Sequence, residues 1–420
     1  MPGNLVGHGG PVKAIRVDAS GDVLTGSFDY AMMLWVMENG APKLSRRRDE
    51  HGGAVNAVAF GGGKYAIAAG DDLKISLWNR GSGNHHKLEG HKAKIAGLAV
   101  SPDGLTAASA SWDRTARIWD LDKLQAGPVL EGHTGPVNAV AFSSDGRRVF
   151  TASADGAIRA FDAATGALER PIYKHEFGIN VLERLPGGDH LLFGSLNGDA
   201  KIIDATSGAV IRELPAHSRP VLALAVLEKP GLIATGGGDG VIRVLRAGDG
   251  ALVEEYRNPS GPVWALAFKP DASALYWGGL DDFVSLWTFN PREPFEPVDS
   301  RFPRRFQASG APGSPFGRGE LQFARKCSVC HTLTPDGANR AGPSLYRVFG
   351  RRIATLPGYP FSEPLRGLDI VWSAETIDRL FELGPDVFTP GSKMPLQQMA
   401  NAEERAALIE YLKVASDPAR

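Results

Sequence analysis

A histidine recurs along the first two-thirds of the chain, at His8, His51, His91, His133, His175 and His217, with intervals of 43, 40, 42, 42 and 42 residues. A repeat of about 40 to 45 residues means one supersecondary unit copied in series. A single copy cannot bury its own apolar face and must stack against its neighbours. Each histidine precedes an alternating stretch such as Val137-Asn138-Ala139-Val140-Ala141-Phe142, then a turn such as Ser144-Asp145-Gly146. A strand of small residues ending at an aspartate turn follows, as in Ser109-Ala110-Ser111-Trp112-Asp113, and each unit closes on a large apolar position: Trp35, Trp78, Trp119, Phe161, Ile203, Leu245 and Trp287. A seventh unit, 260–287, lacks the histidine but keeps Asp281 in its turn. Period-two alternation predicts strands, and seven units are enough to close a ring of four-stranded blades.

The unit running from Gly90-His91 to Trp119-Asp120 resembles a WD repeat, and the resemblance extends over roughly residues 4–290. It implies an all-β seven-bladed propeller in which each histidine packs on the turn aspartate of its own blade. His91 then pairs with Asp113, His133 with Asp155 and His217 with Asp239. The fifth unit departs, with Asn197 at the aspartate position and Asp199 two residues on. The last blade needs an outer strand, from Leu5-Val6 or from the segment after Phe289. Of ten histidines, six open repeats and one is His331, leaving His85, His86 and His190. His85-His86, next to Gly81-Ser82-Gly83-Asn84, read as solvated residues in a loop between blades. Arg46-Arg47-Arg48, read between the first two blades, is a solvated stretch or a docking patch.

The 420 residues carry a formal net charge of -1, which disfavours nucleic acid as a partner. The chain has no run of about 18 apolar residues, so no membrane span is expected. Residues 291–315 are rich in proline and read as a linker between a propeller (1–290) and a second domain (316–420). Arg301, Arg304 and Arg305 make the linker locally basic: a stiffened, solvated tether or a surface for an acidic partner.

The only two cysteines fall in Cys327-Ser328-Val329-Cys330-His331. A structural zinc site needs about four ligands and no second pair exists; a thioredoxin-like pair needs a βαβ setting, which is missing. The run is the attachment pattern of a c-type haem, with both thiols bonded to one haem and the next imidazole placed under its iron. Around it, Gly319–Lys326 predicts a helix running into the motif. Asn401-Ala402-Glu403-Glu404 reads as a capping box, followed by an apolar face of Leu408, Tyr411, Leu412 and Ala415. Further on lie Ala341-Gly342-Pro343-Ser344-Leu345, Phe349-Gly350-Arg351-Arg352, Tyr359, Phe361, Trp372 and Thr389-Pro390-Gly391-Ser392-Lys393-Met394-Pro395.

From Phe316 onward the chain resembles a class I cytochrome c, of the mitochondrial and c2 type. The resemblance implies an all-α domain binding one covalent haem c through Cys327 and Cys330, with iron ligated by His331 and Met394. Met399 is the only other methionine of the region. It further implies that the Pro343 carbonyl accepts the proximal imidazole proton, that Arg351 and Trp372 serve the haem propionates, and that Gly319, Phe323, Leu408 and Tyr411 form a helix crossing. Phe361 and Leu380 stand where the family often has tyrosine. The segment between Phe381 and Met394 is one residue longer than the family pattern, to be absorbed around Gly384-Pro385. Lys326 and Lys393 match lysines at the exposed haem edge. The region holds 13 Lys and Arg against 12 Asp and Glu, so strong charge steering is not expected.

The expected function is single-electron transfer, with the propeller as the platform that docks redox partner proteins: an electron carrier rather than a catalyst. The alternatives are an electron-entry domain of a redox enzyme and a haem-based redox or gas sensor. Bacterial haem c is attached outside the cytoplasm, so the periplasm is the expected location. Met1-Pro2-Gly3-Asn4 leads straight into repeat sequence, so the expectation is a removed signal peptide or a misplaced start, with export by another route as the third alternative.

Overall fold

Period-two alternation builds seven four-stranded antiparallel sheets. The blades span 12–48, 55–89, 95–130, 137–174, 179–213 and 221–257, and the seventh combines 263–288 with Leu5–Val6. Leu5 pairs with Val284 and Val6 with Phe283, so the N-terminus supplies the outer strand of the last blade. That pairing covers an otherwise open sheet edge. The computed structural model describes residues 3–38, 40–258, 261–294, 314–328, 330–334, 342–359, 361–390, 392, 394 and 398–417. It divides into two units, Met1–Asp299 and Ser300–Arg420.

Burial peaks in the second strand of most blades, the innermost strand being half-buried along the channel and the outer strand the most exposed. In the second blade Tyr65–Gly70 is buried throughout, whereas the outer strands Ala41–Arg48 and Leu168–Lys174 are mostly exposed. Small residues in the second strands let neighbouring blades approach. A Cβ on Gly236 would lie 2.7 Å from Val263 Cγ1 of the next blade. The exposure gradient corrects two expectations. Arg46-Arg47-Arg48 belongs to the outer strand of the first blade rather than to a connection between blades, where Arg47 pairs with Asp29 and Asp49. His85-His86 open the outer strand of the second blade, paired with Trp78 and Leu77. His85 stacks on Trp78 at 4.9 Å and pairs with Glu50. Both segments are strongly polar and belong to outer strands that are largely exposed, so alternation has little to show there.

The repeat histidines anchor hydrogen-bond chains. His91 Nδ1 lies 2.8 Å from Asp113, and its Nε2 lies 2.7 Å from Ser109 Oγ, which also accepts from Trp119 Nε1 at 2.8 Å. His133 pairs with Asp155 and Thr151, and His217 with Asp239 and Thr235. In the fifth blade Phe193 takes the hydroxyl position, and its ring meets His175 edge-on at 5.7 Å. His175 accordingly turns: Nδ1 accepts from Phe177 N, and Nε2 pairs with Asp199 rather than Asn197. The second blade has Ala68 at that position, and His51 Nε2 and Trp78 Nε1 are both buried without a partner. In the seventh unit a buried Asn258 stands near the histidine position and donates to Gly261 O at 2.9 Å.

The second unit contains five helices among its described residues: α1 (Pro315–Lys326), α2 (Glu363–Arg366), α3 (Ala374–Leu383), α4 (Pro385–Phe388) and α5 (Ala402–Ala415). Helix α1 begins four residues before the expected Gly319, with Ser314 as cap and Pro315 in the first turn. The Pro-rich stretch therefore ends before Ser314, because proline is well suited to a first helical turn. Asn401 caps α5 by accepting from Glu403 N and Glu404 N. The reciprocal capping box forms at α3, between Ser373 and Thr376. Gly384, at φ 91°, separates α3 from α4, a conformation glycine adopts at no steric cost. No helix among the described residues is long and apolar enough to cross a membrane. Arg301, Arg304, Arg305 and Lys393 lie outside the described residues.

Candidate functional site

Helix α1 delivers the cysteine motif. Its C-terminal turn closes with Cys327 N donating to Phe323 O at 2.9 Å, and the chain folds back so that Cys330 N and His331 N both donate to Cys327 O, at 3.0 and 2.8 Å. Cys327 is buried, Cys330 half-buried, and no disulfide joins them. Where α1 crosses α5, a Cβ on Gly319 would lie 2.0 Å from Ala407 O. The aromatic packing at this crossing is Phe323 against Tyr411 at 5.6 Å and Phe316 against Tyr411 at 5.2 Å. Burial, with Glu320 nearby, pushes the Tyr411 phenol well above its usual value.

His331 is oriented by the segment that follows. Its Nδ1 lies 2.7 Å from Pro343 O. In a neutral ring that nitrogen is then the donor, and Nε2 carries the lone pair a metal would need. Gly342 makes the approach possible: a Cβ there would sit 2.4 Å from His331 Cε1. Gly342 N donates to Cys330 O and Leu345 N to Thr332 O, both at 2.8 Å, so the two segments are clipped together on either side of the imidazole.

Arg351 donates to Ser344 O at 2.7 Å and Tyr346 O at 3.2 Å. Burial lowers its affinity for a proton. Its own carbonyl accepts from Trp372 N at 3.0 Å, while Gly350 N donates to Trp372 O at 2.8 Å. Arg351 thereby ties the Pro343 segment to the strand-like stretch bearing Trp372. Tyr359 and Phe361 meet edge-on at 4.7 Å. Cys327 lies in the apolar core of this unit with Phe323, Leu380, Phe381 and Met399, and Trp372 and Met394 pack against that core. Met394 N donates to Ser392 Oγ at 3.1 Å. Met399 is more deeply buried, and its backbone N donates to Phe381 O at 2.8 Å.

Sequence reasoning missed Arg405. This buried guanidinium donates to Met399 O at 2.7 Å and Ala400 O at 3.2 Å, and pairs with Asp378 of α3 at 2.8 Å. It anchors the downstream end of the methionine segment to α3 and α5. The signal was present: Arg405 lies three residues before Leu408, on the face that should be apolar, and a buried arginine needs partners.

The chemistry of this donor set fits a covalently attached haem. Two thiols three positions apart precede an imidazole whose outer nitrogen is already engaged, and a thioether packs on the same core. Among the described residues no group of three or more His, Cys, Asp or Glu side chains could hold a metal ion. A haem needs no such cluster, since its porphyrin supplies the other iron ligands.

Fold and site together define a chain with WD40 repeats, a seven-bladed propeller and a haem-attachment motif. The family model described as WD domain, G-beta repeat matches residues 83–120, 126–162 and 208–245. Each match begins near the outer strand of one blade and ends in the third strand of the next, the offset that lets Leu5–Val6 close the ring. Cytochrome c of Sesamum indicum is 37% identical over 107 residues, 25% of this chain and 95% of that protein. Cytochrome c of Chlamydomonas reinhardtii is 36% identical over 106 residues, 94% of its length, and cytochrome c 2.1 of Caenorhabditis elegans 34% over 110 residues, 96% of its length. By a quarter of its length, the chain belongs to the cytochrome c family.

Proposed function

We propose that the chain is a propeller fused to an all-α class I cytochrome c domain that carries single electrons, with haem attached through Cys327 and Cys330 and ligated by His331 and Met394. The observation that carries this reading is the 2.7 Å contact between His331 Nδ1 and Pro343 O beside the cysteine pair. A haem bound there would supply a one-electron iron couple, with histidine and methionine ligation favouring the reduced state. The chain's own residues do the rest. Pro343 fixes the imidazole tautomer and raises its basicity. Gly342 leaves room for the ring. Arg351 and Trp372 would hold the propionates, and the apolar core around Cys327 and Met394 keeps water from the centre. With His331 and Met394 both engaged by a bound haem, no position would remain for substrate, which favours a carrier over a catalyst.

The propeller, on this reading, docks the redox partner, and haem attachment outside the cytoplasm makes the periplasm the proposed location. The ligand assignment is tested by absorption spectroscopy of the oxidised protein. Met394→Ala should abolish the weak long-wavelength sulfur-to-iron band, whereas Met399→Leu should retain it. A band that survives Met394→Ala rejects Met394 as ligand.

A further inference from the structure

The innermost strands of the seven blades enclose a channel, and two of its wall residues divide it. Arg16 of the first blade and Glu183 of the fifth form an ion pair at 2.8 Å. Both residues line a chamber of about 260 Å³ on one side and another of about 480 Å³ on the other. The smaller chamber contains two ammonium groups of unusual setting. Lys94 Nζ rests 3.4 Å from the centre of the Trp112 ring, and Lys13 Nζ lies 5.6 Å from that of Trp264. Among the described residues neither ammonium makes an ion pair.

The indoles are themselves fixed. Trp112 donates from Nε1 to Asn138 Oδ1 at 3.1 Å, and Trp264 stacks on Phe28 at 5.3 Å. Asp71, the carboxylate whose field reaches both lysines, accepts from Asn56 at 2.7 Å. Burial and the charge of Lys94 bring Lys13 down to about 8, and burial lowers Lys94 as well. Lys13, Lys94, Arg16 and Glu183 line the chamber, and with Asp71 acting on both lysines from outside its wall an excess of one positive charge remains. Two half-buried cations held beside indole faces, with one carboxylate too few, form a receptor for a single negative charge.

We propose that this chamber binds one carboxylate, seated between Lys13 and Lys94 and flanked by Trp112 and Trp264. A phosphate dianion would overshoot the charge, and an apolar ligand would leave both ammoniums unpaired. The carboxylate belongs to a small organic acid or to an acidic side chain of a bound protein. The site is independent of the electron-transfer reading, since it lies wholly within the propeller.

Calorimetric titration of the full-length protein tests it, with butyrate, a blocked Gly-Glu-Gly peptide and inorganic phosphate as probes. Binding of butyrate without the peptide identifies a small-acid site. Tighter binding of the peptide identifies an acidic protein segment. Lys13→Gln and Lys94→Gln should each weaken the bound probe by roughly tenfold, the scale of one charge-assisted hydrogen bond. Lys92→Gln, altering an exposed lysine near Lys94, should change nothing. The thermal midpoint of each variant confirms that it is folded. If neither carboxylate binds at about 10 mM, the proposal is overturned. Tighter binding of phosphate than of both carboxylates, or equal affinity in the Lys13 and Lys94 variants, also overturns it.

Discussion

Gly342 sets how closely the chain can approach the imidazole of His331. With a Cβ only 2.4 Å from Cε1, Gly342→Ala must move the ring or the Pro343 carbonyl. The expected result is a sharp fall in covalently loaded protein, with an altered ligand spectrum in what remains; an unchanged yield and spectrum would deny the glycine this role. Much of this site was legible because its parts are adjacent in sequence: the cysteines, His331, and the Gly-Pro pair eleven and twelve residues on. Arg405 was not, because its partners on α3 and at Met399–Ala400 come together only after folding. The carbonyls that hold Arg351 were hidden for the same reason, since a sequence names donors but not which backbone oxygens will face them.

At the scale of the element, two substitutions probe packing in opposite directions. Gly319→Ala puts a methyl 2.0 Å from Ala407 O where α1 crosses α5, and overpacking of this kind costs about 1–3 kcal/mol. The thermal midpoint of the second unit should fall while the propeller's is unchanged. Ala68→Ser runs the other way. It offers a hydroxyl between His51 Nε2 and Trp78 Nε1, the two buried and unpartnered nitrogens of the second blade, as Ser109 does in the third. A gain of about 1 kcal/mol in propeller stability is expected from denaturant titration; no gain would mean that the hydroxyl does not reach both rings. The blades themselves were readable from period and alternation. Their outer strands were not, because residues such as Arg46, Arg47 and His86 face water and the strands carry no apolar rhythm. The fifth blade's turned His175 follows from Phe193, a change of one side chain that the repeat spacing does not reveal.

For the whole molecule, the histidine network couples propeller stability to pH. Burial lowers the proton affinity of His91, His133 and His217. The unfolded chain therefore takes up protons first as pH falls through the ordinary histidine value of 6.5, and stability is lost in that direction. Asp113 acts alike at lower pH. Its burial is outweighed by hydrogen bonds from Thr115, Lys92 N and His91, which hold it at about 2 against an ordinary 3.8, so its contribution is lost between those values. Thermal midpoints should fall from pH 7 to 5 and again below about 4; a rise between pH 7 and 5 would contradict the neutral-histidine assignment. If the propeller recruits the redox partner, fragment 310–420 should keep its haem spectrum yet be reduced more slowly than the full chain at low partner concentration. Equal rates would remove the docking role. Covalent haem attachment is read by staining for haem after denaturing electrophoresis of the full-length protein, matured with a haem c attachment system. The haem should migrate with the chain and disappear from it when Cys327 and Cys330 are both replaced by alanine. Haem that separates from the unmodified chain, or that stays with the doubly substituted one, would contradict the account.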